Sequence, residues 1–266
     1  MPETAADASD EQKREGMPTM GFLDHLEELR TRLVYSIAAV AVGFFACWWK
    51  VEKIYDVMQR PIMKALHDNG MSDKLVYLNP VEPFNLYLKI AALAGLFLTS
   101  PFVLYQVWMF ISPGLYRNEK RYVVPFMVST IALFSAGGYF GFKVVYPQAL
   151  GFLIHFGRQF QPMITIGEYT SLFLSIVLGM GLIFEMPILI FFLALMGIVS
   201  AGFMWKNFRY AILIIFIIAA IVTPTPDVLN MCIFAAPMIG LYIVSIAIAW
   251  LVHPKQRRAR KEKQAA

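Results

Sequence analysis

Long apolar runs separated by short polar segments occupy almost the whole chain. Runs of near-bilayer length cover about Leu33–Trp49, Phe84–Phe110, Tyr122–Tyr146, Tyr169–Met196 and Met231–Val252, and a shorter one covers about Tyr210–Val222. A helix needs about 20 apolar residues to cross a hydrocarbon core, where its backbone can only satisfy its own hydrogen bonds. The pattern predicts an all-α polytopic membrane protein with six transmembrane helices. The fifth is too short for an upright crossing and Pro237 interrupts its neighbour, so the bilayer thins there or partner helices cover the gap.

The polar segments have patterns of their own. Phe22, Leu23, Leu26, Leu29 and Leu33 recur at helical spacing just before the first run, with Asp24, Glu27, Glu28, Arg30 and Arg32 on the other face. Between Lys50 and Pro83, the positions Val51, Ile54, Tyr55, Met58, Ile62 and Met63 predict an interfacial helix that ends near Pro61 or continues past it. With the second sizeable loop, Val144–Tyr169, this segment forms a cap over one face. Residues 1–19 are polar, have no apolar core, and read as a disordered tail rather than a signal peptide. Residues 20–252 form the membrane domain and 253–266 a basic tail. The two halves share no motif order, which weakens a transporter built from inverted repeats.

Composition agrees with the pattern: 58% of residues are hydrophobic, only 15% are charged, and mean hydropathy is +0.59. Soluble domains carry about 25% charged residues. Of the 23 Lys and Arg, fifteen fall on the side holding the two tails, the 111–121 loop and the Lys206–Arg209 turn. The positive-inside bias therefore puts both termini in the cytoplasm. The basic C-terminal tail reads as a contact with anionic lipid, not as a nucleic-acid site. Cys47 and Cys232 lie inside apolar runs without metal spacing, and the four histidines form no pair. No phosphate loop, nucleophile elbow or metalloprotease motif occurs, so neither catalysis nor a cofactor is expected.

Several carboxylates need explanation. Basic residues suit a cytoplasmic membrane entry, so Glu27 and Glu28 there suggest a cationic ligand. Glu185, in Phe184-Glu185-Met186-Pro187, lies inside the fourth span, where an ionisable group costs several kcal/mol on most estimates unless it faces protein or a wet cavity. It is a candidate site for a polar ligand, a proton or a partner helix, against the plainer reading of a structural hydrogen bond. Glu119 sits in the loop after Pro113-Gly114; alone it reads as a solvated charge paired with an arginine, but with Glu28 on the same face it makes a second carboxylate for a second cation. Asp227, in Thr223-Pro224-Thr225-Pro226-Asp227, reads as a turn residue and helix N-cap. Thr223, Thr225 and Asn230 place polar atoms at membrane depth, where they can hold a foreign helix. Gly137 and Gly141 point to close internal packing.

Taken in order, Phe22–Leu33, Tyr105-Gln106-Val107-Trp108-Met109-Phe110, Ser112–Arg121, Phe184–Pro187 and Thr223–Asp227 strongly resemble the TatC family, the polytopic core subunits of twin-arginine protein translocases. The resemblance covers roughly residues 20–252. It implies a multi-pass protein of the bacterial cytoplasmic (inner) membrane that binds twin-arginine signal peptides of folded cargo. Its implied partners are single-span TatA- and TatB-type proteins in an oligomeric complex driven by the protonmotive force. The family's signal-binding glutamates fall on Glu28 and Glu119. Arg30 and Phe110 match further signal-site positions, and Tyr105 is a candidate apolar contact. Glu185 matches an intramembrane glutamate, Pro61 a proline of the first outer loop, and Asp227 an aspartate after the fifth span. The chain reads Thr-Pro-Thr-Pro-Asp where many relatives have Thr-Pro-Pro-Asp. A competing reading is a small-solute transporter with Glu185 as its proton-coupled site; an embedded enzyme has no residue set to support it.

Overall fold

A computed structural model describes residues 22–68, 75–111, 123–157, 160, 163–195, 197–222 and 228–265. Glu119, Thr223, Thr225 and Asp227 lie outside the described residues. The described chain is almost wholly helical. Helix α1 spans Phe22–Trp48 and α2 Val51–Asp68; α3 spans Glu82–Ile111 and α4 Val123–Phe140. Then come α5 (Tyr146–Phe156), α6 (Ile166–Ile183), α7 (Met186–Leu195), α8 (Ala201–Lys206), α9 (Phe208–Val222) and α10 (Val228–Ala265). Among the described residues, five helical stretches are long and apolar enough to cross a membrane: Asp24–Trp48, Glu82–Phe110, Pro125–Phe156, Ile166–Leu195 and Met231–Leu251. Phe208–Ile221 is apolar but shorter.

The amphipathic segment and the first apolar run form one unbroken helix, α1. It packs along α3 more extensively than any other pair of elements meets. The contact is a backbone crossing. A Cβ on Gly95 would lie 2.6 Å from the Phe44 nitrogen, and one on Gly43 would lie 2.7 Å from the Gly95 carbonyl oxygen. Only glycine on both helices permits that approach. The predicted internal packing of Gly137 and Gly141 is present in the same form: their missing side chains leave room for the Met180 and Ile176 carbonyls of α6.

One expected boundary differs, and one left open is decided. The third span does not end at Tyr146: a π-turn, Gly141–Val145, joins α4 to α5, and the helix continues to Phe156. Pro147 falls in the first turn of α5, directly after the π-turn, where the ladder has changed register and its missing N–H is tolerated. The loop expected from Val144 is correspondingly short. The interfacial helix continues through Pro61 to Asp68 and buries Val51, Met58, Ile62 and Leu66.

At the Trp48 end of α1, the segments before α3 and before α6 meet. Val76 and Thr165 form an isolated parallel bridge, with the Ile166 N–H donating to the Val76 carbonyl at 2.9 Å. The buried Tyr169 hydroxyl donates to the Met58 carbonyl at 2.9 Å, tying α2 to α6. Beneath this cap runs the main core of α2, α3, α5 and α6, and it continues into α9 and α10. A second cluster at the other end holds Trp108, Ile188 and Phe192, where the Trp108 indole donates to Thr130 Oγ1 at 3.0 Å.

Candidate functional site

Two carboxylates stand out, near opposite features of the fold. The first is Glu28, in the second turn of α1. Arg32 lies four residues on, one turn along the same face. Its Nη2 donates to Glu28 Oε1 at 3.2 Å, and its Nη1 donates to Gln106 Oε1 of α3 at 3.0 Å. The resident guanidinium thus bridges the two helices. Both ionic side chains are largely withdrawn from solvent, Glu28 at 18% exposure and Arg32 at 25%. Gln106 is buried. Glu28 Oε2 is buried and accepts no hydrogen bond. A carboxylate oxygen in that condition is expensive to leave unpaired, and a cationic donor arriving there gains a charge-assisted bond.

One turn before Glu28, His25 stacks on Phe110 of α3, with ring centroids 4.3 Å apart and planes at 13°. The α1–α3 crossing at Gly43 and Gly95 brings these ends together, since it fixes the register of the two helices along their length. Of the sequence-predicted residues, the structure therefore places Glu28 and Phe110 at one end of the same helix pair. Tyr105 is on α3 and 39% exposed. Arg30 is exposed on a different side of α1 from Glu28, as a two-residue offset on a helix requires. Arg32, Gln106 and His25 were not singled out as site residues. The Glu28/Arg32 spacing of four was a readable signal; the Gln106 contact depends on inter-helix register, which a single sequence does not carry.

The second carboxylate is Glu185. It lies at a break between α6 and α7, which otherwise form one span. Its N–H donates to the Leu182 carbonyl in a tightened turn, and the helix restarts with Ile188 and Leu189 donating to the Glu185 carbonyl. Pro187 has no N–H to give the Ile183 carbonyl, which is the chemical cause of the break. Glu185 Oε1 is buried without a hydrogen-bond partner. Pro61 lies within α2, half-buried, far along the chain from both carboxylates. Asn230 falls in the first turn of α10. Among the described residues no group of three metal-ligating side chains comes together.

A family model described as "Sec-independent protein translocase protein (TatC)" matches residues 24–237. The chain belongs to the TatC family. A relative of that description from Koribacter versatilis (strain Ellin345) is 66% identical over 253 residues, covering 95% of this chain and 93% of the relative. One from Aquifex aeolicus (strain VF5) is 34% identical, covering 91% of this chain and all of the relative. A solved structure, "Crystal Structure of Twin Arginine Translocase Receptor- TatC", superposes with a TM-score of 0.77 at 34% identity, covering 86% of this chain and 99% of that one. The role of a TatC protein is that of a translocase component, so the residues above are to be read for binding and transport, not catalysis.

Proposed function

We propose that this chain is the signal-peptide receptor and scaffold of a twin-arginine translocase in a bacterial inner membrane. In this reading it crosses the membrane six times, with α9 as the short fifth span and both termini in the cytoplasm, as the distribution of Lys and Arg supports. Glu28 and Glu119 each take one arginine of the signal. The observation that carries the reading is the buried, unpartnered Oε2 of Glu28 beside a guanidinium already held by Glu28 Oε1 and Gln106. The site is built to hold one guanidinium, so it has the geometry to accept another by sharing or exchange. A planar guanidinium fork bonds a carboxylate through two parallel donors, whereas an ammonium acts as a point charge; twin lysine is thereby disfavoured. Phe110, Tyr105 and the apolar face of α1 offer contacts for the signal's hydrophobic stretch, and Arg30 sets the local charge around them.

The short α9 and the polar residues that follow it in the sequence, Thr223, Thr225, Asp227 and Asn230, are suited to docking single-span TatA- or TatB-type helices, because polar groups at membrane depth hold foreign helices. Glu185, with its unpartnered oxygen at a helix break, supplies a polar contact for such a helix or for an inserted signal. The assembled complex is oligomeric and draws on the protonmotive force. Titration of purified protein with labelled twin-arginine and twin-lysine peptides tests the receptor reading. Binding of the arginine form alone, lost in the Glu28→Ala, Glu119→Ala double variant, is the expected result; unchanged binding in that variant overturns it.

A further inference from the structure

At the end of the bundle opposite Glu28, α2 roofs a groove of about 690 Å³ whose walls come from α1, α3, α4 and α6. Ala46, Leu93, Ala94, Phe97, Tyr139 and Val177 give it an apolar lining along its length. Tyr139 is 64% exposed at its edge, so the groove opens sideways, toward the lipid that surrounds these spans. Lys50 and Lys53, both exposed, line the groove at the α1–α2 corner. Among the described residues, no Asp or Glu lines it. Of the nearby acids of α2, Asp56 accepts from Gln59 at 3.1 Å, and Glu52 lies outside the groove lining, in an adjoining cleft that Lys50 and Lys53 also border with Trp48 and Trp49. Past Phe142, which borders both, a second groove of about 510 Å³ carries Arg60, Lys64 and Lys143 against the single acid Asp68.

An apolar slot with two lysines at its mouth and no acid in its own lining has the amphipathic layout of a phospholipid. Lysine stems lie along apolar surface while the ammonium reaches the headgroup level. We propose that this groove binds an anionic phospholipid, one acyl chain lying between α1, α3 and α4 and the phosphate set against Lys50 and Lys53. The bound chain fills the space beneath α2 and anchors the cap to the bilayer. Charge complementarity selects an anionic headgroup over a zwitterionic one. The apolar wall makes the chain, not the headgroup alone, necessary for binding.

The test is native mass spectrometry of the full-length protein, released from micelles containing equal phosphatidylglycerol and phosphatidylcholine. One phosphatidylglycerol is expected to be retained in preference. Near a membrane surface two lysines together contribute roughly 30-fold in affinity, so a Lys50→Gln, Lys53→Gln variant should lose about that much of the retention. Ala46→Trp, which fills the slot and leaves both lysines, should lose retention as well, with thermal unfolding reporting that each variant is folded. Glycerol 1-phosphate should not displace the lipid. Equal retention of the two lipids, full retention by the lysine variant, or displacement by glycerol 1-phosphate overturns the proposal. Displacement by an uncharged apolar helical peptide as readily as by phosphatidylglycerol also overturns it and assigns the groove to a protein segment.

Discussion

Glu28 and Glu185 are both carboxylates with a buried oxygen that accepts no hydrogen bond, yet their surroundings differ in kind. Glu28 sits where two helix ends meet and has polar company from both, Arg32 on its own helix and Gln106 on the other. Glu185 sits where one helix breaks, and Pro187 makes the break local to its own chain segment. The first is a half-satisfied polar network, the arrangement that gains most when a cation completes it. The second is an isolated polar group in an apolar span, whose missing partner has to arrive within the membrane. In the proposed function, recognition falls to the α1–α3 ends and helix docking to the α6–α7 break.

The largest test removes the platform under the first site. Gly95→Leu would drive a side chain into the α1 backbone at Phe44, and overpacking at a backbone crossing should destabilise by about 3 kcal/mol. Chemical unfolding in detergent measures it, and twin-arginine peptide binding should fall in parallel. Unchanged stability would mean that the α1–α3 crossing does not organise the site.

Next in size is the pair of carboxylates. A hydrogen bond to a charged group contributes about 1.5 kcal/mol or more, so Glu28→Gln should weaken twin-arginine peptide binding roughly 10-fold. The double variant with Glu119→Gln should weaken it roughly 100-fold if the two act independently. Glu185→Leu sharpens the comparison. It should leave peptide binding and stability nearly unchanged, because replacing an unsatisfied buried group by an apolar one is close to neutral, while vesicle transport of a folded cargo is lost. Equal losses of peptide binding at Glu28 and Glu185 would erase the division of labour.

Thr130→Val probes the packing that supports the α3 end. It leaves the Trp108 N–H buried without its acceptor and should cost about 1–3 kcal/mol in unfolding measurements. The smallest effect belongs to the resident guanidinium. An i,i+4 ion pair on a helix contributes about 0.3–0.5 kcal/mol, so Arg32→Ala should free Glu28 and raise peptide affinity only about two-fold. A large loss instead would make Arg32 part of the receptor rather than a competitor for it.

Much of this was legible in the chain, for physical reasons. Five apolar runs became helices of spanning length because hydrocarbon leaves the backbone no other partner, and the run before Val222 stayed short. Gly137 and Gly141 do admit α6, since the four-residue spacing puts both on one helix face. The family was readable from motif order. What the sequence did not carry is register between helices. The Arg32–Gln106 bridge and the His25–Phe110 stack join residues far apart in the chain, and they follow from the glycine crossing of α1 and α3. The third span runs past Tyr146 because the π-turn before Pro147 shifts the backbone register, and hydrophobic periodicity alone does not show such a turn.

The receptor claim is tested most directly by photo-crosslinking in membrane vesicles. Probes at Leu29, beside Glu28, and at Asn118, beside Glu119, would be challenged with a twin-arginine signal peptide and a twin-lysine control. Crosslinks from both probes to the arginine form alone are the expected result. Absence of crosslinks to either peptide, in folded protein with its partner subunits present, would contradict the receptor assignment and leave Glu185-centred transport as the reading to pursue.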